Sequence, residues 1–213
     1  MDSLDKYIFI CMGKYSDYNI IPIGDHCAIS MILSELTLRN KSYPFDWVSN
    51  KEQLHDTNIL YNTEIIEELK SSDNVDNIVE KYIGNAFNNQ RLNSVNNIWF
   101  PHDTENTTDI FEKYKRRFAR LKTDLDKKNM FILLTRHYYI EEHIFQKILE
   151  TLSKYNKDSI ILFISGTNHT YFENIQYPTV IFKYIEYDIS QFYQYDYSKF
   201  RPNIKRFLSD LLL

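Results

Sequence analysis

The chain has two cysteines, Cys11 and Cys27, in different surroundings. Cys11 closes a short run rich in Ile and Phe, Lys6 to Cys11, that reads as a strand. A thiol inside a strand is expected to be inert until unfolding. Cys27 follows Ile20-Ile21-Pro22-Ile23-Gly24-Asp25-His26 and precedes an amphipathic run. Strand, turn and helix in that order put this thiol in a first helical turn. Unpaired backbone N–H groups and the helix dipole favour a thiolate there, and the same N–H groups can stabilise an oxyanion. The chemistry that suits such a thiol is nucleophilic attack on an acyl carbon. The plainer use of Cys27 is a small apolar side chain packed under the helix.

A thiol nucleophile needs a base, and a group that orients the base, within hydrogen-bond reach. His102 is the best candidate base: Trp99, Phe100 and Pro101 would hold the ring in a dry wall, with Asp103 polar beside it. His26 adjoins Cys27, but neighbours in a first turn point in different directions, so it is expected to cap the helix or face solvent. Asp46, wedged between Phe45 and Trp47, is a candidate orienter, as is Asp103. Each of these groups also has an ordinary structural use, as a satisfied imidazole or a turn carboxylate. Trp47 is a candidate substrate contact, because Ser42-Tyr43-Pro44-Phe45-Asp46-Trp47 is too aromatic for an idle loop. On the basic face from Lys113 to Lys122, Arg116, Arg117 or Arg120 could hold a carboxylate or phosphate, although a solvated helix face is their more ordinary use.

These residues need elements to carry them. Asn19 to Ile23 reads as a strand and Ala28 to Leu38 as a helix, with Asp25 a plausible N-cap. Lys51 to Ile83 reads as two or three short helices, and Asn85 to Asn97 as a loop. A helix is expected from Asp109, with Glu112 placed for a capping box. Met130 to Thr135 and Ser159 to Ile164 are apolar strands flanking an amphipathic helix, Ile140 to Tyr155. That βαβ unit requires parallel strands and a crossover. Thr179 to Ile185 offers a further strand and Ile204 to Leu213 a closing helix. The expected fold is therefore α/β: an open, largely parallel sheet with flanking helices, in one domain over 1–213 with a helical insertion around 51–98.

Composition narrows the function classes. The chain has 213 residues, enough for a proper core, with 43% hydrophobic and 25% charged residues. Only 4 Gly argues against glycine-rich phosphate loops. A net charge of -4 gives no electrostatic reason to expect nucleic acid or an anionic membrane. Two cysteines make neither a disulfide framework nor a structural zinc site. His137 and His143 are six apart, which is not the i, i+4 spacing of zinc ligands, so no metal and no cofactor is expected. The start, Met1-Asp2-Ser3-Leu4-Asp5-Lys6, lacks the basic n-region of a signal peptide, and the apolar runs are too short to span a bilayer. The expected location is the cytoplasm. Heavy use of Ile, Asn, Lys and Tyr suggests an A+T-rich genome such as some large DNA viruses carry, which would make it a host's cytoplasm.

Four segments together carry a resemblance: Pro22-Ile23-Gly24-Asp25-His26-Cys27, Leu38-Arg39-Asn40-Lys41-Ser42-Tyr43-Pro44-Phe45-Asp46-Trp47, Phe100-Pro101-His102-Asp103 and Tyr114-Lys115-Arg116-Arg117-Phe118. In order and spacing, from about Ile20 to Ile164, they resemble the family of putative papain-like cysteine peptidases found in bacteria and large DNA viruses. The resemblance implies that Cys27 is the nucleophile and His102 the base, with Asp46 or Asp103 assisting. It also admits an α+β alternative, since papain-like domains pair a Cys-bearing helix with an antiparallel sheet bearing His. An open parallel sheet instead looks like an SGNH-type esterase with Cys in place of Ser. Ser165-Gly166-Thr167-Asn168-His169 resembles the Gly-x-Asn block of those enzymes, but no His follows position 169 to serve as their late base. A Gly/Asn turn after a strand is the ordinary use of that block.

Three functions are thus in view. One is a thiol-dependent hydrolase or acyltransferase acting on an amide, ester or thioester of a peptide or small molecule. Another is an SGNH-like esterase or acyltransferase acting on glycans. The third is a non-catalytic binding module that keeps the motifs for its core.

Overall fold

The computed structural model describes residues 15–24, 26–50, 57–84, 98–100, 102–103, 107–136, 138–174, 177–188, 190 and 199–213. The expected strand Lys6 to Cys11, the Asp25 cap, the loop Asn85 to Asn97, and Pro101 and His137 lie outside the described residues.

Four strands form one sheet: β1 (Asn19–Pro22), β4 (Asn129–Thr135), β5 (Ile160–Ser165) and β6 (Val180–Tyr184), in the order β1-β4-β5-β6. Every pairing is parallel, with Ile21 opposite Phe131, Phe131 opposite Ile161, and Phe163 opposite Phe182. The α/β reading therefore holds, and the antiparallel sheet of the α+β alternative is not the architecture. Buried from end to end, β4 shows why its sequence is a continuous apolar run: a central parallel strand is covered on both faces. Two further short strands, β2 (Ser49–Asn50) and β3 (Ile98–Trp99), pair antiparallel in a separate two-stranded ribbon.

Strand alternation sorts the core into two layers. Phe131, Leu133, Ile161 and Phe163 face one side of the sheet, under α2 (Thr57–Ser71), α3 (Val75–Val79), α4 (Thr107–Asp124) and α5 (Glu142–Ser153). Met130, Ile132, Leu134, Leu162 and Ile164 face the other, under α1 (Ala28–Glu35) and α7 (Phe200–Leu212). A single turn, α6 (Tyr171–Asn174), precedes β6, and a π-helical turn, Glu80–Gly84, extends α3. Among the described residues no helix is long and apolar enough to cross a membrane.

Two helix ends differ from the sequence reading. Instead of running to Leu38, α1 ends at Glu35 with Leu36 as its C-cap, because Thr37 takes a left-handed conformation (φ 57°). The N–H groups of Leu38 and Arg39 both fold back onto Leu33 O, at 2.9 and 3.2 Å, which closes the helix and turns Arg39 toward Asp46. At the other difference, α4 begins at Thr107, so Asp109 and Glu112 lie inside the helix rather than forming its capping box.

Candidate active site

Parallel sheets collect functional groups beyond the carboxyl ends of their strands, and Cys27 sits there, past the end of β1. The chain leaves β1 with Ile23 N–H still on the ladder, donating to Ile132 O at 2.9 Å. Gly24 then passes so close to β4 that a Cβ would lie 2.7 Å from Leu134 N and 2.8 Å from Leu134 O. Only glycine fits that approach. Cys27 follows at the N-cap of α1, 5% exposed, with Met31 N–H returning to its carbonyl at 3.2 Å.

His102 arrives from 75 residues downstream. Its Nε2 lies 3.4 Å from Cys27 Sγ. The β2–β3 ribbon draws the segment 43–50 beside 98–100 and 102–103, with Ser49 opposite Trp99 and Asn50 opposite Ile98. Both segments then pack on α4: Phe45 meets Phe118 edge-on at 6.4 Å, and Phe100 meets Tyr114 edge-on at 5.3 Å. The ring of Trp47 touches that of His102 at 5.5 Å, and the Arg39 guanidinium lies 5.3 Å from the Trp47 ring. His102 is exposed and Cys27 buried, so the pair opens to solvent on the imidazole side.

Asp46 and Asp103 flank these rings in sequence but are engaged elsewhere. Asp46 Oδ2 accepts from Arg39 Nη2 at 2.5 Å, Arg39 Nε at 3.2 Å and Tyr43 N–H at 3.0 Å. Asp103 pairs with Lys113 and accepts from the Tyr114 hydroxyl at 2.6 Å. Burial, then the Asp103 carboxylate, pushes the Tyr114 phenol far above its usual range, so it stays a donor. Among the described residues no carboxylate reaches the His102 ring. The two aspartates instead tie down the segments that present Trp47 and His102. Arg117 is buried, its guanidinium 5.1 Å from the Tyr114 ring, and Arg116 lies on the exposed face of α4.

His26 has its own geometry. Its Nδ1 accepts the Ala28 N–H at 3.1 Å and lies 3.9 Å from Cys27 Sγ. It thus does the work of an N-cap side chain, and one first-turn N–H is occupied rather than open to an oxyanion. Burial, then Arg136, His102 and Arg201, pushes the His26 imidazole down to about 3. The ring binds protons less readily folded than unfolded, so stability is full above about pH 6.5 and falls as pH drops from there toward 3. His26→Asn keeps a capping acceptor without the titration. Its expected stability matches wild type at pH 8, and between pH 8 and 4.5 it loses roughly 2 kcal/mol less than wild type. Urea midpoints at the two pH values measure this, and equal acid losses would contradict the neutral-cap assignment.

The esterase-like block is built into the fold. Ser165 Oγ accepts from Thr135 Oγ1 at 2.9 Å, and Asn168 is exposed. Buried His169 accepts Ile140 N–H at Nε2 (2.9 Å), and its Nδ1 lies 2.9 Å from Thr167 O. This imidazole closes the β5–α6 loop. On the surface, His143 pairs with Glu141 at 3.1 Å.

Sequence reasoning missed Arg39 and Asn62. Arg39 lies within a quoted motif, but nothing local shows that it grips Asp46. Asn62 is on α2, and its Nδ2 donates to the carbonyls of Ile23 and Gly24 at 3.2 and 3.3 Å.

The fold and site define an open, parallel-sheet α/β protein with a cysteine–histidine pair at the carboxyl edge of its sheet. The chain belongs to the family described as "Putative papain-like cysteine peptidase (DUF1796)", whose model matches residues 18–163. No curated protein and no solved structure matches the chain significantly.

Proposed function

We propose that the protein is a cysteine-nucleophile hydrolase or acyltransferase acting on an amide, ester or thioester. The observation that carries this reading is the 3.4 Å approach of His102 Nε2 to Cys27 Sγ, from segments 75 residues apart. In the proposed reaction His102 takes the Cys27 proton first, and the resulting thiolate, paired with the imidazolium, attacks the acyl carbon. As the acyl–leaving-group bond breaks, His102 returns that proton to the departing nitrogen, oxygen or sulfur. Water, or a second acceptor, then gives a proton to His102 and attacks the thioester, releasing the acyl group and restoring the thiol. Arg39, Asp46, Asp103 and Tyr114 act through position, holding Trp47 and His102 at the thiol. Trp47 is the candidate wall for the substrate.

The all-parallel sheet, with the thiol directly after β1, supports a second reading in which the acyl group comes from a glycan. One experiment treats both. The protein is incubated with an activated ester, an acyl thioester, a peptide amide and an O-acetylated sugar, and its intact mass is followed. The expected result is an acyl adduct mapped to Cys27 with at least one class and absent from Cys27→Ala. Adduct only from the sugar ester would favour the glycan reading. No Cys27 adduct from any class would overturn the enzyme reading in favour of a binding module.

A further inference from the structure

The turn that presents Cys27 is held from three sides. On the sheet side Gly24 lies against the Leu134 backbone, and on the helix side His26 holds the Ala28 N–H. The third hold comes from α2, which contributes none of the motif residues. There a single side-chain NH2 group, Asn62 Nδ2, takes the carbonyls of both Ile23 and Gly24. Asn62 is 2% exposed, and its Oδ1 is buried with no hydrogen-bond partner among the described residues. An orphaned buried acceptor costs free energy, and a side chain serving only helix packing could be apolar at no such cost. The carboxamide is committed to the turn.

We propose that Asn62 is a positioning residue for Cys27. By fixing the two carbonyls that precede the thiol turn, it sets where α1 begins and so the line from Sγ to His102 Nε2. A dyad depends on that line, because a shift on the order of 1 Å in a reacting group is enough to cost reactivity heavily. The proposal rests on the Cys27–His102 reading of the site.

The test is the pH dependence of iodoacetamide alkylation at Cys27, read by peptide mass spectrometry on the full chain. Asn62→Ala is compared with wild type, His102→Ala and Leu69→Ala. Leu69 is a buried residue of the same helix, and its truncation loosens the core without removing a hydrogen bond to the turn. The expected result is that Asn62→Ala moves the curve in the same direction as His102→Ala, with the rate at pH 6 falling about threefold or more. Asn62→Ser, which retains one donor, falls between Asn62→Ala and wild type. Leu69→Ala melts earlier but keeps the wild-type curve. An unmoved curve for Asn62→Ala overturns the proposal, as does an equal shift in Leu69→Ala, which would make the effect one of general loosening. If Asn62→Ala does not fold, Asn62→Ser decides: a wild-type curve overturns the proposal and a shifted one supports it. A curve that His102→Ala leaves unmoved removes the dyad, and this proposal with it. A curve that His102→Ala shifts and the Asn62 variants do not removes this proposal alone.

Discussion

Replacing His102 by alanine is expected to lower the rate at which iodoacetamide modifies Cys27 at pH 6 by about tenfold or more. Cys27 is 5% exposed, and burial by itself disfavours a thiolate. Two features oppose that burial: the imidazole at 3.4 Å and the start of α1. The helix contribution is small, roughly 0.3–1 kcal/mol, and falls off within a turn. An imidazolium in contact with a thiolate is worth more, and a change of about 1.4 kcal/mol moves the midpoint of the alkylation curve by one pH unit. The loss of His102 should therefore move that midpoint upward. His26→Ala should move it less, since His26 is held neutral and its Nδ1 is already given to the Ala28 N–H. The measurement is the alkylation rate from pH 5 to 9, with peptide mapping to separate the two cysteines. If His26→Ala shifts the curve and His102→Ala does not, the base is His26. If neither does, the thiol and imidazole are neighbours without being a pair.

Gly166→Ala is expected to be the most damaging Gly→Ala change among the described glycines. A Cβ at Gly166 would lie 1.7 Å from the Arg136 carbonyl oxygen, 2.7 Å from its carbon and 2.5 Å from Tyr187 Cβ. None of these atoms can swing aside by changing a rotamer. Three segments also meet there through the backbone: Gly166 N–H donates to Thr135 O at 2.8 Å, and Gly166 O accepts from Tyr187 N–H at 3.3 Å. Relief requires the ends of β4 and β5 to part, or the segment after β6 to lift away. Overpacking of this kind costs about 3 kcal/mol or more, which in a domain of this size lowers Tm by roughly 6–12 °C. Thermal unfolding followed by circular dichroism measures it. A Gly166→Ala protein within about 1 kcal/mol of wild type would show that this crossing is loose. It would also reopen the reading of Ser165–His169 as part of a substrate site.

Much of the sheet was legible in the sequence, because its signals are local. A central parallel strand is buried on both faces, so β4 and β5 had to be written as continuous apolar runs, and α5 as a stripe of Ile and Leu between them. That strand–helix–strand order requires parallel pairing whatever surrounds it. The position of Cys27 after β1 was legible for the same reason, whereas His102, expected in a dry wall, is exposed and meets the thiol only through the tertiary fold. Helix ends were less so: α1 stops where Thr37 turns left-handed, a conformation that a β-branched residue adopts only when its surroundings impose it. Partner choice was not legible at all. Asp46 and Asp103 each had an imidazole, several cations and a tyrosine as conceivable partners. Packing on α4 gave Asp103 to Lys113 and Tyr114, and the end of α1 gave Asp46 to Arg39. Asn62 belonged to an unremarkable helix until α2 was laid across the turn before Cys27. A residue's type and its strand or helix follow from neighbours a few positions away. Which polar atom it meets depends on how layers separated by 38 to 110 residues come to rest, and short-range periodicity carries no record of that.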